Sequence, residues 1–191
     1  MKVVAFNGSA RKDGNTAVLL KRVLKVLEAE GIETELIQLA GEQIHGCTAC
    51  RACFETKNHR CVITDDKVNE YIQKMIQADG ILLGSHTYFA MMSSEMKALI
   101  DRAGFVTQAT PDTLKYKVGA AVAVARRAGA MTTFDAINHF FLISQMIVPG
   151  SSYWNIGIAN KKNEIDTDVE ALNTMDDLGK NMAWLIKKLK T

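Results

Sequence analysis

The chain has 191 residues, with 23 Lys plus Arg against 21 Asp plus Glu, a formal charge of +2. It lacks the basic excess expected of a protein whose partner is nucleic acid. Hydrophobic residues make up 48% and charged residues 23%, with 2 prolines and 13 glycines. That balance fits one globular domain spanning residues 1–191, with little room for linkers or low-complexity tails.

Lys2–Phe6 is a short apolar run rich in β-branched residues and predicts a strand buried on both faces, as in a parallel sheet. It is too short for a signal-peptide core before polar Asn7 and Gly8. Thr16–Glu30 predicts a helix with a broad apolar face, ended by Gly31, and Glu33–Leu39 alternates as a strand nearer an edge. A cysteine-rich insertion at about 44–63 follows. Val68, Tyr71, Ile72, Met75 and Ile76 then recur at helical spacing behind Asp65-Asp66, which suit a helix N-terminus. Gly80–Gly84 predicts a third strand, Ser93–Arg102 a third helix and Lys117–Ala125 a fourth strand. The longest apolar run, Val118–Ala125, is far below the roughly 20 residues that cross a bilayer. Thr132–Gln145 reads as a helix and Met146–Val148 as a fifth strand stopped by Pro149-Gly150. A last amphipathic helix carries Leu172, Met175, Leu178, Met182, Leu185, Ile186 and Leu189.

Strands alternating with helices predict an α/β fold, a doubly wound five-stranded parallel sheet with helices on both faces. Ligands in such folds sit outside the carboxyl ends of the strands at a switch point in strand order. The expectation is a cytoplasmic protein with no membrane contact, whose cysteines lie in a reducing compartment.

The loop after the first strand, Gly8-Ser9-Ala10-Arg11-Lys12-Asp13-Gly14-Asn15-Thr16, combines small residues, hydroxyls, an amide and two cations at a helix start. Backbone donors with Ser9, Arg11, Asn15 and Thr16 can cradle a phosphate there. The loop matches neither the Walker A pattern nor Gly-x-Gly-x-x-Gly. The loops after the third and fourth strands add Tyr88 and Phe89 as aromatic surface and Arg126-Arg127 as cations. No catalytic acid, base or nucleophile stands out.

All four cysteines fall in one segment, as Cys47-x2-Cys50-x2-Cys53-x7-Cys61. Cys-x2-Cys spacing lets two thiolates converge, and four suit a [4Fe–4S] cluster or zinc. Zinc sites more often pair two separated knuckles, so the compact run leans toward iron and sulfur. Arg51, Lys57, His59 and Arg60 in the segment could screen an anionic cluster or lower the thiol pKa values of a metal-free redox site.

The Gly-Ser-x-Arg-Lys-x-Gly-Asn-Thr string, with Gly14 and Thr16, resembles the FMN-phosphate loop of flavodoxin-like NAD(P)H-dependent FMN reductases and iron–sulfur flavoproteins. Ser85-His86-Thr87-Tyr88-Phe89 resembles their second flavin loop, and Ala125-Arg126-Arg127-Ala128-Gly129 the third. The family usually has Pro where His86 stands, Gly where Ala90 stands and a second Gly where Ala130 stands. The resemblance implies FMN, and Cys47, Cys50, Cys53 and Cys61 as ligands of a [4Fe–4S] cluster. It also implies a ferredoxin-type donor or NAD(P)H as electron source, and a homodimer or homotetramer. The alternatives are a cluster-free NAD(P)H-dependent FMN or quinone reductase, and a non-catalytic thiol or zinc redox sensor.

Overall fold

The computed structural model describes residues 1–190. In chain order the elements are β1 (Lys2–Asn7), α1 (Asn15–Ala29), β2 (Glu33–Gln38), α2 (Ala52–Thr56), α3 (Val68–Gln77), β3 (Gly80–His86), α4 (Ser94–Ala109), β4 (Val118–Ala125), α5 (Ala130–Ile143), β5 (Ile156–Ile158) and α6 (Val169–Lys190). A single 3-10 turn, Glu164–Thr167, precedes α6. The strands form one parallel sheet in the order β2-β1-β3-β4-β5, the flavodoxin-like doubly wound arrangement, with the switch point between β1 and β3.

The period-two alternation of the strands divides the core. Val3, Ala5, Leu82, Val122 and Val124 pack beneath α1 and α6, whereas Val4, Phe6, Ile81, Leu83 and Ala121 face α3, α4 and α5. At Gly119 on β4 an added Cβ would sit 2.7 Å from the Phe141 ring, so only glycine lets α5 approach the sheet this closely. No helix among the described residues is long and apolar enough to cross a membrane.

The fifth strand lies later in the chain than the sequence predicts. Ile147 makes only an isolated parallel bridge to Val118. Residues 149–154 then leave the sheet edge, and pairing resumes at Ile156–Ile158 against Ala123–Ala125. Pro149 cannot donate to a ladder, which explains the break. Buried Asn155 returns the chain to the edge, its carbonyl accepting from Ala123 N at 3.0 Å and its Oδ1 accepting from Ser151 Oγ at 2.6 Å. Helix α4 runs seven residues past its predicted end at Arg102, to Ala109.

Candidate functional site

The loop between β1 and α1 is folded by its own polar groups. Ser9 N donates to Asn7 Oδ1 at 3.1 Å, Arg11 N to Ser9 Oγ at 3.2 Å, and Gly14 N to the Arg11 carbonyl at 3.1 Å. Gln38 of β2 holds the loop from the side, donating to the Ser9 carbonyl at 2.7 Å. Gly14 begins α1 without any side-chain cap, which leaves first-turn N–H groups and the positive end of the helix dipole for an anion.

Ser9, Arg11, Asn15 and Thr16 line a cavity of about 130 Å³ together with His86, Thr87, Tyr88 and Arg126. Ala159 and Asn160 complete it from the loop after β5. Sequence reasoning missed these two because it ended the fifth strand ten residues too early. The cavity thus draws on the loops following β1, β3, β4 and β5, at the carboxyl edge of the sheet. Asn15 is committed to the protein: its Nδ2 donates to the Lys161 carbonyl at 2.8 Å and its Oδ1 accepts from Ile165 N at 3.5 Å. Its part is to hold the β5 loop against the α1 terminus. Arg11 makes one long contact of 3.4 Å to the Asn160 carbonyl, so most of its guanidinium stays available to a ligand.

The loop after β3 has two parts. Buried Ser85 is structural: its Oγ donates to the His86 carbonyl at 2.7 Å and accepts from Ser93 N at 3.0 Å, while Ser93 caps α4. Beyond it, Tyr88 and Met91 exchange two backbone hydrogen bonds of 3.0 Å around Phe89 and Ala90, at φ 48° and 58°. Two consecutive left-handed residues define the tight hairpin turn that normally takes glycine, so Ala90 sits there under strain. Phe89 projects from the turn tip, wholly exposed, and does not line the cavity.

His86 packs edge-on to Tyr88, with ring centroids 3.9 Å apart. Both its ring nitrogens, and Thr87 Oγ1, are buried without a protein partner. Burial holds the imidazole pKa below its ordinary value; Arg11 adds to the depression and Glu95 opposes it. In the third loop Arg126 reaches the cavity wall, whereas Ala125 and Arg127 do not. Gly129 is at φ +86°, and a Cβ there would lie 3.0 Å from Ala90 Cα, so this glycine allows the second and third loops to touch. An uncapped helix terminus, a free guanidinium and unpartnered buried polar atoms around one cavity fit a phosphorylated flavin.

Cys47, Cys50, Cys53 and Cys61 are free thiols and line a second, small pocket of about 20 Å³. Its other walls include Val62, Phe105, Val106 and Arg102. Four non-glycine residues of the segment, Ala49, Arg51, Lys57 and His59, have left-handed backbone. These turns bring the thiols together at a cost of roughly 1–2 kcal/mol each. Ala49 N donates to Cys47 Sγ at 3.4 Å, and Cys53 Sγ donates to the Phe105 carbonyl at 3.7 Å. Burial pushes the Cys53 thiol pKa up, and Cys61 and Cys50 add to the rise. A donor set of four thiols in one pocket fits a thiophilic metal centre. His45 lies within reach of Asp65 and Asp66, but the Asp66 carboxylate is occupied by Arg102 and His45 N.

The NADPH-dependent FMN reductase family matches residues 1–161. An iron–sulfur flavoprotein of Methanocaldococcus jannaschii is 40% identical over the full length of both chains. An iron–sulfur flavoprotein of Methanosarcina thermophila is 31% identical, covering 100% of this chain and 97% of its own. Among solved structures, RosB with bound 8-demethyl-8-formylriboflavin-5'-phosphate superposes with a TM-score of 0.81 at 16% identity, over 100% of this chain and 80% of RosB. The chain belongs to the NADPH-dependent FMN reductase family and is an FMN-type flavin oxidoreductase.

Proposed function

We propose that the protein is a two-centre electron carrier. FMN would occupy the pocket at the ends of β1, β3 and β4, and a [4Fe–4S] cluster would sit on Cys47, Cys50, Cys53 and Cys61. The observation that carries the reading is the convergence of all four thiols on one pocket, in a chain whose full-length relatives are called iron–sulfur flavoproteins. The chemistry supplied by the bound groups is hydride or single-electron acceptance at the flavin and single-electron transfer at the cluster.

Each protein group has a defined task in this reading. The α1 terminus, Ser9, Thr16 and Arg11 hold the phosphate. Arg126 offsets negative charge that builds on the reduced flavin. Phe105 and Val106 give the cysteine pocket an apolar wall. A ferredoxin-type donor or NAD(P)H would supply electrons to a homodimer or homotetramer.

The test is an absorption spectrum of anaerobically purified protein during stepwise reduction, with iron and sulfide analysis. Flavin bands over a broad iron–sulfur envelope, both bleaching, are expected. Flavin bands alone, with fast saturable reduction by NAD(P)H, would make the protein a cluster-free reductase. Zinc in place of iron would leave the cysteines a zinc or thiol sensor.

A further inference from the structure

Arg102 is the largest of the fully buried side chains. It projects from α4 into the base of the cysteine insertion and binds both ends of it. Nη1 pairs with the buried Asp66 carboxylate and donates to the His45 carbonyl at 3.3 Å, while Nη2 donates to the Ile63 carbonyl at 2.9 Å. Residue 45 lies just before Cys47, and residues 63 and 66 lie just after Cys61. The guanidinium therefore clamps the segment on either side of its four thiols.

One donor is left over. Arg102 Nε is shielded from water and has no protein partner, and the same side chain lines the pocket of the four cysteines. A buried donor without an acceptor is destabilising, more so when the group is charged. Asp66 already neutralises the guanidinium, so Arg102 brings to the pocket a directed N–H more than a net charge. The other cations of the segment are placed differently. Arg51 lies over the Phe54 ring, 4.8 Å from its centroid, and Lys57 and Arg60 are exposed.

We propose that Arg102 donates its Nε–H to a sulfur of the group held by Cys47, Cys50, Cys53 and Cys61, and thereby raises that group's reduction potential. A hydrogen bond to sulfur favours the more negative, reduced state, so its loss lowers the potential. This role rests on the cluster reading above. Arg102 acts as a positioning residue through its Nη contacts and as a tuning residue through Nε.

The experiment uses anaerobically prepared whole protein carrying both centres and compares wild type with Arg102→Lys, which keeps the cation beside Asp66 and removes the Nε–H. The expected result is retained iron and sulfide, a cluster midpoint moved to lower potential in an EPR-monitored titration, and an unmoved flavin midpoint. Arg60→Lys should leave both midpoints where they are. Should Arg102→Lys fail to hold iron, the decision passes to protein labelled with 15N at arginine Nε in an Arg51→Lys background. Electron–nuclear double resonance of its reduced cluster should then show one coupled 15N. Wild-type protein without iron would overturn the cluster reading and this role with it. A full iron complement with an unmoved midpoint, or with no coupled 15N, would overturn the role of Arg102 alone.

Discussion

The two unpartnered nitrogens of His86 give one residue of the cavity proposed for the flavin a predictable acid sensitivity. Its imidazole is held neutral mainly by burial, with Arg11 adding to the effect and Glu95 opposing it, while Tyr88 packs on the ring. In the unfolded chain the same group titrates near 6.5. Between that value and the depressed folded one, the unfolded state binds more protons, so stability falls as pH drops through the window and levels off below it. Above 6.5 both states are neutral and the contribution is complete. Urea unfolding of flavin-free protein at pH 7.5 and 5.5 should show a larger acid loss for wild type than for His86→Gln, because carboxylate effects common to both cancel. Equal losses would mean that His86 is free to protonate in the folded protein.

At the level of elements, the Tyr88–Met91 hairpin stores strain that one substitution should release. Ala90 at φ 58° carries a Cβ where the left-handed region costs an L-residue about 1–2 kcal/mol, whereas glycine incurs about 0.4–1 kcal/mol through the unfolded chain. Ala90→Gly should therefore stabilise by roughly 0.5–1 kcal/mol, a rise in Tm of about 1–4 °C at this size. A fall in Tm would show that the Ala90 Cβ packing beside Gly129 outweighs the strain. The buried strands β1, β3 and β4 were legible from continuous apolar runs, and the loops after them from small and charged residues at a strand end. The fifth strand was not, because Met146–Val148 is more apolar than the short edge strand Ile156–Ile158, and pattern alone cannot see an excursion interrupting one ladder. Arg102 had an available signal. It falls on the helical stripe of Met96, Leu99, Ala103 and Val106, where a charged residue is either partnered or misassigned.

Over the whole molecule the two pockets share no lining residue. The cavity proposed for the flavin is built from loops at the carboxyl edge of the sheet, each anchored by a strand. The cysteine pocket is built from the excursion between β2 and α3 and from α4, with Cys53 and Cys61 resting on the core cluster beneath α3, α4 and α5. Arg102, Asp66 and Asn69 fix that excursion to the fold without touching the flavin loops; Asn69 alone receives Cys61 N at 2.7 Å and donates to the Cys61 and Ile63 carbonyls. Separate anchoring implies separable loading. Cys50→Ser, which changes the exposed member of the set, should abolish iron binding while leaving FMN affinity within about twofold, a difference under about 0.5 kcal/mol. FMN at 100 times its Kd should then raise the stability of both proteins by the same ~2.7 kcal/mol, read as equal thermal shifts. A much smaller shift in Cys50→Ser would reveal that the excursion supports the flavin loops through the sheet, joining in one cooperative unit two sites that the packing keeps apart.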